Sequence, residues 1–519
     1  MTTEERMTTH GMTQGQAHSD SYVWANEKYE AIVKQMSGAA TQHLKHNDVE
    51  TLLEQEGREL LRLLLQAHIN DRSQREVARE VIDAAGVAHT HQRMHTRQLE
   101  SIFGEVQITR QGHGGNGLAS LHPLDGDLNL PQERYSHRVR ERVAEAASKA
   151  PFDEVIGDMD KNTGAHVPKR QAEALVQRTT QDFDPYYERK HQDPETANKV
   201  SSGVLVISSD GKGVPMRKHD LRPQTQAAAD KQTPHLLHRS SKGEKPNRKR
   251  MATVAAVYTI APWVRLPEDI VGELHPSNSS NDQTSKPARP RPENKRVWAS
   301  LSHPPEAVIE QAFAEAHARD PAHAKRWVAL VDGNPTQLHL LQATAKKQGI
   351  PLVIILDLIH VLEYLWSAVW ALFDEADPAA EVWVSEHLQA LLRGHSSLVA
   401  AGLRRSATLR ALTPEQRKPI DRCANYLLKY RDFLHYDTYL AAGWPIATGV
   451  IEGACRHLVK DRLEISGARW TVAGAEAILR LRALRSSGDF ADYWAFHLEQ
   501  EHRRLHLSHY ANDQIPELV

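Results

Sequence analysis

The 519-residue chain is poor in cysteine and has almost no net charge. Cys423 and Cys455 are its two cysteines, too few for a disulfide scaffold, and they fit a reducing cytoplasm. The 64 Lys and Arg residues are offset by 66 Asp and Glu, a formal charge of −2. That balance excludes a uniformly basic nucleic-acid coat protein, because the summed charge offers phosphate no attraction. Long apolar runs are also missing. The strongest, IPLVIIL at 350–356, stops at Asp357, short of the ~18 residues a membrane span needs, so no membrane partner is expected. Residues 1–20 contain no apolar stretch of the kind a signal peptide carries and read as a disordered polar tail. The 30 histidines form no HExxH or CxxC-linked pattern, so most read as surface residues rather than a zinc site.

What is present is the composition of a large globular protein. Hydrophobic residues make up 40% of the chain and charged ones 25%, enough for sizeable cores. At roughly 150 residues per domain the length predicts about three domains. Region 21–130 opens with an amphipathic helix over 45–68, where Val49, Leu52, Leu53, Leu60, Leu61 and Leu64 share a face, and it contains one strand in LESIFGEVQITRQG at 99–112. Region 131–199 has the outline of a helix-turn-helix: Phe152, Val155, Ile156 and Met159 on one helix, a break at Gly164, and a second helix starting at Pro168. Lys169, Arg170 and Arg178 on that second helix are candidate DNA contacts, with plain helix packing as the alternative.

From residue 200 the pattern turns to α/β. SGVLVISSDG, MATVAAVYTI at 251–260, WVALVDGNP and IPLVIILD read as buried strands, separated by helices at 305–318 and in TQLHLLQATAKKQG. Two basic, proline-containing stretches read as loops. Residues 239–250 hold six Lys or Arg against one Glu, and 286–296 hold five against one. In a nearly neutral protein they suggest a local polyanion footprint, with Arg248, Lys249 and Arg250 as candidate contacts. About 80 helical residues follow Asp357.

Two aspartates, each followed by glycine, stand where an α/β sheet tends to place function. Asp210 closes the first strand and Asp332 the third, at carboxyl ends where ligands bind. A third acid, Glu452 in PIATGVIEGACRHLVKDRL, lies one helical turn from Arg456. Each also has a plain reading, as a turn residue or as a partner of a neighbouring cation. Carboxylates drawn together repel unless cations neutralise them, and such hard oxygen donors suit Mg²⁺ or Mn²⁺. Two such ions about 4 Å apart are suited to in-line phosphodiester displacement.

The segments SSDGKGVPMR at 208–217, VALVDGNPTQL, DLIHVLEYLW at 357–366, and IATGVIEGACRHLVKDRLEISGARWTVAGAEAILRLRALRSSGDFADYWAFH resemble bacterial insertion-sequence transposases of the ISKra type. The likeness runs from about residue 95 to His506. It implies a DDE enzyme with an RNase H-like mixed-sheet core in two parts, 200–362 and 441–510. Asp210, Asp332 and Glu452 would then be both catalytic triad and ligands of two Mg²⁺ or Mn²⁺ ions. The 120 residues between Asp332 and Glu452 exceed what a bare core needs, so 363–440 reads as an all-α insertion. Asp357 and His360 look like the Asp/Cys-x-x-His feature of related enzymes near the catalytic centre, against a helix cap with a structural His. Trp444, Arg469 and Trp470 read either as DNA clamps or as core.

The sequence thus predicts a bacterial, nucleoid-associated DNA transposase acting on terminal inverted repeats and target DNA as a homo-oligomer. The alternatives are an RNase H-like nuclease that never joins strands and a domesticated DNA-binding protein.

Overall fold

The computed structural model describes residues 21–76, 80–193, 203–231, 247–274, 289–465 and 467–518. The chain divides into two compact units rather than three: Met1–Asp182 with Ala491–Val519, and Phe183–Phe490. The last helix therefore belongs to the first unit from Ala491 onward, and the second unit begins at Phe183, ahead of the boundary expected near 200.

In the first unit, helices α1 (Val23–Ser37) and α2 (His46–Gln74) precede an antiparallel three-stranded sheet. Its strands are β1 (His91–Ser101), β2 (Gly104–Gly115) and β3 (Leu118–Leu121), in the order β1-β2-β3. The single strand expected at 99–112 is in fact two, because the turn falls inside the segment, where Ser101 pairs with Gly104. Alternation in β2 sends Val106 and Ile108 inward, where they meet Leu99, Leu130 and Ile69 of α2. The amphipathic reading of α2 holds only in part: Leu53, Leu61 and Leu64 remain exposed.

Helices α3 (His137–Ala147), α4 (Phe152–Asn162) and α5 (Lys169–Arg178) follow, with Val155, Met159, Ala172, Leu175 and Val176 buried. The turn between α4 and α5 requires Gly164, since a Cβ there would lie 2.4 Å from the Phe103 carbonyl oxygen.

A buried ionic network ties α3 to the final helix. Arg140, 1% exposed, donates to both carboxylate oxygens of Glu501 and stands 3.2 Å from His497 Nε2. The other nitrogen of His497 meets Asp182 at 2.7 Å, and Arg504 donates to Asp182 at 3.1 Å. Several histidines are therefore core residues rather than surface ones, His497 and His113 among them.

The second unit opens with α6 (Phe183–Gln192) and is built on a mixed five-stranded sheet. Its strands are β4 (Val204–Pro215), β5 (Lys249–Ile260), β6 (Glu293–Ser300), β7 (Arg326–Val331) and β8 (Val353–Leu356). They lie in the order β6-β5-β4-β7-β8. The β4, β7 and β8 strands run parallel to one another, while β5 is antiparallel to both its neighbours. Dense Val, Ile and Leu content fits the middle strands, which are covered on both faces.

Both basic stretches depart from the loop reading at their C-terminal ends, whereas 247–248 and 289–292 lie outside any helix or strand. Lys249 and Arg250 begin β5, and residues 293–296 begin β6. Arg296 is buried, ion-paired with Glu315 and packed over the rings of Tyr187 and Trp298 at 3.4 and 4.4 Å. Residues 232–246 and 275–288 lie outside the described residues.

Helices α7 (Pro305–Arg319) and α8 (Pro335–Gln348) link the later strands. A helical block follows: α9 (Leu358–Val369), α10 (Pro378–Leu392), α11 (Ser396–Leu409), α12 (Pro414–Lys429) and α13 (Tyr436–Ala441). The chain then returns to the sheet through the short α14 (Gly449–Ala454), a π-helical turn at Cys455–Lys460, and α15 (Val472–Ser487). Glu476 of α15 fixes that return by accepting from the backbone N–H of Leu301 at 2.7 Å and the hydroxyl of Ser300 at 2.8 Å. The chain then enters α16 (Phe490–Leu505). Among the described residues no helix is long and apolar enough to cross a membrane.

The Arg140 network sets a stability test. Glu501→Ala leaves a guanidinium buried without its main counter-charge, which costs about 3 kcal/mol or more. Calorimetry is expected to show the first unit melting well below wild type, with Arg140→Met added to Glu501→Ala recovering most of the loss. Equal melting of Glu501→Ala and wild type would show the network to be energetically idle.

Candidate active site

Strand register brings the predicted acids together. Ser208 of β4 pairs with Leu330 of β7, and Val331 of β7 pairs with Leu356 of β8. Continuing both registers sets Asp210, Asp332 and Asp357 in one row across three adjacent parallel strands, spanning about 10 Å at roughly 4.8 Å per strand. The row lies at the carboxyl ends of β7 and β8, with Asp210 and Asp332 half-buried and Asp357 buried.

Asp210 does not close its strand as expected. The β4 strand runs on through Gly211 to Pro215, because β5 continues to pair with it, Asp210 lying opposite Val254. Gly211 therefore makes no turn. Asp210 Oδ1 accepts from the Gly211 N–H at 2.5 Å, and Oδ2 accepts from Cys455 Sγ at 3.2 Å. Asp332 does end its strand at a turn, with Gly333 at φ +92° and the Asp332 carboxylate accepting from the Asn334 N–H at 2.8 Å. Asn334 in turn caps α8.

Asp357 holds the site together. It is 2% exposed, and its carboxylate caps α9 by accepting from the Ile359 and His360 N–H groups, both at 3.3 Å. The same carboxylate accepts from the Thr448 N–H at 3.0 Å. Thr448 then donates its hydroxyl to Glu452 at 3.2 Å. A residue on the sheet edge thus fixes the start of the helix that carries Glu452, and Cys455, three residues on, returns the contact to Asp210. Burial raises the Asp357 carboxyl above its ordinary value, against the lowering effect of the hydrogen bonds it accepts from Thr448, Ile359 and His360. Glu452 is raised as well, first by desolvation and then by the charges of Asp357, Glu363 and Asp210, with the Thr448 hydroxyl opposing. Burial and Asp210 together keep the Cys455 thiol protonated and so a donor.

Arg456 is not the counter-ion of Glu452. The helix widens into a π turn at Cys455, which shifts the side chains that follow, and Arg456 reaches Asp461 at 3.5 Å instead. His360 is half-buried, meets Glu363 at 3.2 Å and lies edge-on to Tyr364 and Tyr426. Among the described residues no three His, Cys, Asp or Glu side chains already stand in metal-ligating arrangement.

Four tyrosines that sequence reasoning passed over tie the helical block to the strand ends. Tyr426 donates to the Asp332 carbonyl at 3.0 Å and Tyr430 to the Gly333 carbonyl at 2.6 Å. Tyr436 and Tyr439 donate to the carbonyls of Leu356 and Ile354, at 2.8 and 3.5 Å. Their helical spacing was the available signal, but it reads equally well as ordinary core.

The proposed DNA contacts divide. In the first unit Lys169 is paired with Asp153 at 2.7 Å and Arg178 with Glu133 at 2.6 Å, while Arg170 is exposed. In the second unit Arg248 is exposed, Lys249 is paired with Glu464 at 2.6 Å, and Arg250 donates to the Leu301 carbonyl at 3.1 Å. Trp444 stacks on Tyr439 and accepts from Arg265 through its carbonyl, and Trp470 donates its ring N–H to Leu463. Both are half-buried, whereas Arg469 is exposed.

Raised carboxyl pKa values carry a sign. The folded state holds these protons more tightly than the unfolded chain, so stability falls as pH rises from the ordinary carboxyl value through the raised one, and is level above it. Glu452→Gln removes one repelling charge from an exposed, solvent-screened position, so the gain is below about 1 kcal/mol. The variant is expected to melt slightly above wild type at pH 7.5, the difference closing as pH is lowered toward the unfolded carboxyl range. Melting curves that stay parallel at all pH would show that Glu452 feels no such repulsion.

No family model matches this chain. Among curated proteins it is similar to a "UPF0236 protein in vanSb 3'region" from Streptococcus gallolyticus, 28% identical over 120 residues. The match covers 23% of this chain and 26% of that protein, so the likeness spans about a quarter of each.

Proposed function

We propose that the chain is an insertion-sequence DNA transposase, a DDE enzyme of the ISKra type with an RNase H-like core. The observation that carries this reading is the in-register row of Asp210, Asp332 and Asp357, with Glu452 bound to it through Thr448. Three further features support it. The strand order β6-β5-β4-β7-β8, with only the second strand in sequence reversed, suits the mixed sheet that the motif resemblance implies. A helical block separates the second acid from the third. Asp332 and Asp357 stand at the carboxyl ends of parallel strands with Asp210 in register beside them.

A divalent cation fits the donor chemistry. Asp210, Asp332 and Glu452 offer hard oxygens, and the charges that push Glu452 toward protonation are the charges Mg²⁺ or Mn²⁺ would neutralise. Asp357 spends its oxygens on backbone N–H groups and so positions rather than ligates. When bound, two such ions supply activation of the attacking water or hydroxyl and stabilisation of the leaving oxygen. The chain's part is to hold three carboxylates around the scissile phosphate and to keep Glu452 in place through Thr448. Hydrolysis exchanges a P–O3′ bond for a P–O bond from water, and the departing 3′ oxygen takes a proton. The freed 3′-hydroxyl then attacks a target phosphorus, one P–O bond again replacing another. Among the predicted DNA contacts, Arg170 and Arg248 are exposed and, among the described residues, outside any ion pair, so they can meet DNA without first losing a carboxylate partner. Joining two element ends calls for a homo-oligomer on terminal inverted repeats.

Full-length protein with Mg²⁺ and a DNA fragment carrying the element's terminal repeats tests the proposal. Asp210→Asn, Asp332→Asn and Glu452→Gln are each expected to lower cleavage and joining by about 100-fold or more while leaving DNA binding intact, and EDTA is expected to abolish both steps. Variants that cleave and join like wild type would place the chemistry elsewhere. Cutting without joining would leave a hydrolytic nuclease.

A further inference from the structure

Beside Asp332, helices α9 and α12 enclose an open pocket with an aromatic wall and a basic rim. Tyr364 and Tyr426 stack in parallel, ring centroids 4.0 Å apart and planes 13° from parallel. Tyr426 is buried and its hydroxyl is already spent on the Asp332 carbonyl, so what the wall offers a ligand is the half-buried ring of Tyr364 backed by Tyr426. On the rim Arg422, Asn425 and Lys429 recur at helical spacing along the exposed face of α12, over about 10 Å. Among the described residues neither Arg422 nor Lys429 is in an ion pair, in contrast to Lys169, Arg178 and Lys249. The side chain of Lys429 lies 4.7 Å from the Tyr430 ring centre.

We propose that this pocket binds an unpaired nucleotide of the DNA strand whose scissile phosphate lies at Asp332, an inference that rests on the function proposed above. The argument is one of complementary chemistry. Next to a cluster of carboxylates, a polyanion is held only where cations are free to meet it, and Arg422 and Lys429 are the free cations of this rim. An aromatic wall adds a second demand. In a duplex the base faces are covered by one another, so a ring can stack only on a base that has left the helix or ends it. Aromatic stacking beside unpaired cations therefore favours a single strand over a paired one. The pocket also explains why His360 and the tyrosines converge here: they continue the site past the point of bond breakage.

Equilibrium binding of the full-length protein to a labelled single-stranded oligonucleotide and to the blunt duplex of the same sequence, both in EDTA, reads the pocket without chemistry. Tyr364→Leu is expected to weaken single-strand binding about tenfold and leave duplex binding unchanged, with Tyr364→Trp restoring it. The surface pair Arg422→Ala with Lys429→Ala is expected to weaken single-strand binding and flatten its log–log salt slope by roughly 1.4. Single-strand binding equal to wild type in both variants overturns the inference, as does an equal loss on duplex in Tyr364→Leu. If single-strand binding depends on Tyr364 while Asp210→Asn still cleaves, the pocket stands and the catalytic reading is what fails.

Discussion

The buried carboxylate of Asp357 is the constraint on which the site depends. It stands at the end of the last parallel strand, and an unpaired charge there would be costly, so its oxygens are given to backbone donors. Two of those donors start helix α9, which launches the helical block. Another is Thr448, more than ninety residues away in sequence, where the chain comes back from that block. One side chain therefore fixes both the departure and the return of a long excursion, and the return is what brings Glu452 to the row of aspartates. The helical block answers in kind. Its four tyrosines donate to carbonyls at Ile354, Leu356, Asp332 and Gly333, so strand ends that would otherwise expose bare acceptors are capped by phenols.

Electrostatically the site is held in tension. Glu452 is raised by burial and by Asp357, Glu363 and Asp210, and Asp357 is raised by burial. Folding has brought Glu452 near acids whose charges make it harder to ionise, while for Asp357 the opposing factor is burial itself. Meanwhile Asp210 and Asp332 turn oxygens toward Gly211, Cys455 and Asn334. Local hydrogen bonds thus satisfy the carboxylates singly.

Much of this was legible in sequence. Val/Ile-rich runs marked β4, β5, β7 and β8, and of the two aspartates expected to close strands Asp332 does so whereas Asp210 lies within β4. The long helical stretch after Asp357 was also plain. Other features were hidden for definite reasons. The β6 strand escaped because its first residues are charged and its apolar part is short, and the buried setting of Arg296 depends on Glu315, Tyr187 and Trp298, all distant in sequence. Gly211 suggested a turn, but a glycine inside a paired strand looks the same until the partner is known. Arg456 was misplaced because helical spacing assumes an α-helix, and the π turn at Cys455 breaks that period. The two-unit division reflects a C-terminal helix packing with residues over three hundred positions earlier, which no local pattern reveals.

Charge shows the same difference between sum and arrangement. A total of −2 argued against a polyanion partner, and the basic stretches argued for one. Neither the total nor the local density decides the matter, because a cation already paired must give up its partner before it can meet phosphate. Lys169, Arg178 and Lys249 sit in basic segments yet are neutralised by Asp153, Glu133 and Glu464. Arg422 and Lys429 belong to no basic run at all, but they stand exposed and, among the described residues, outside any ion pair beside the row of acids. A cation is available to a phosphate only where no carboxylate has already claimed it, so among the described residues the pairing of each side chain says more than the density of Lys and Arg around it.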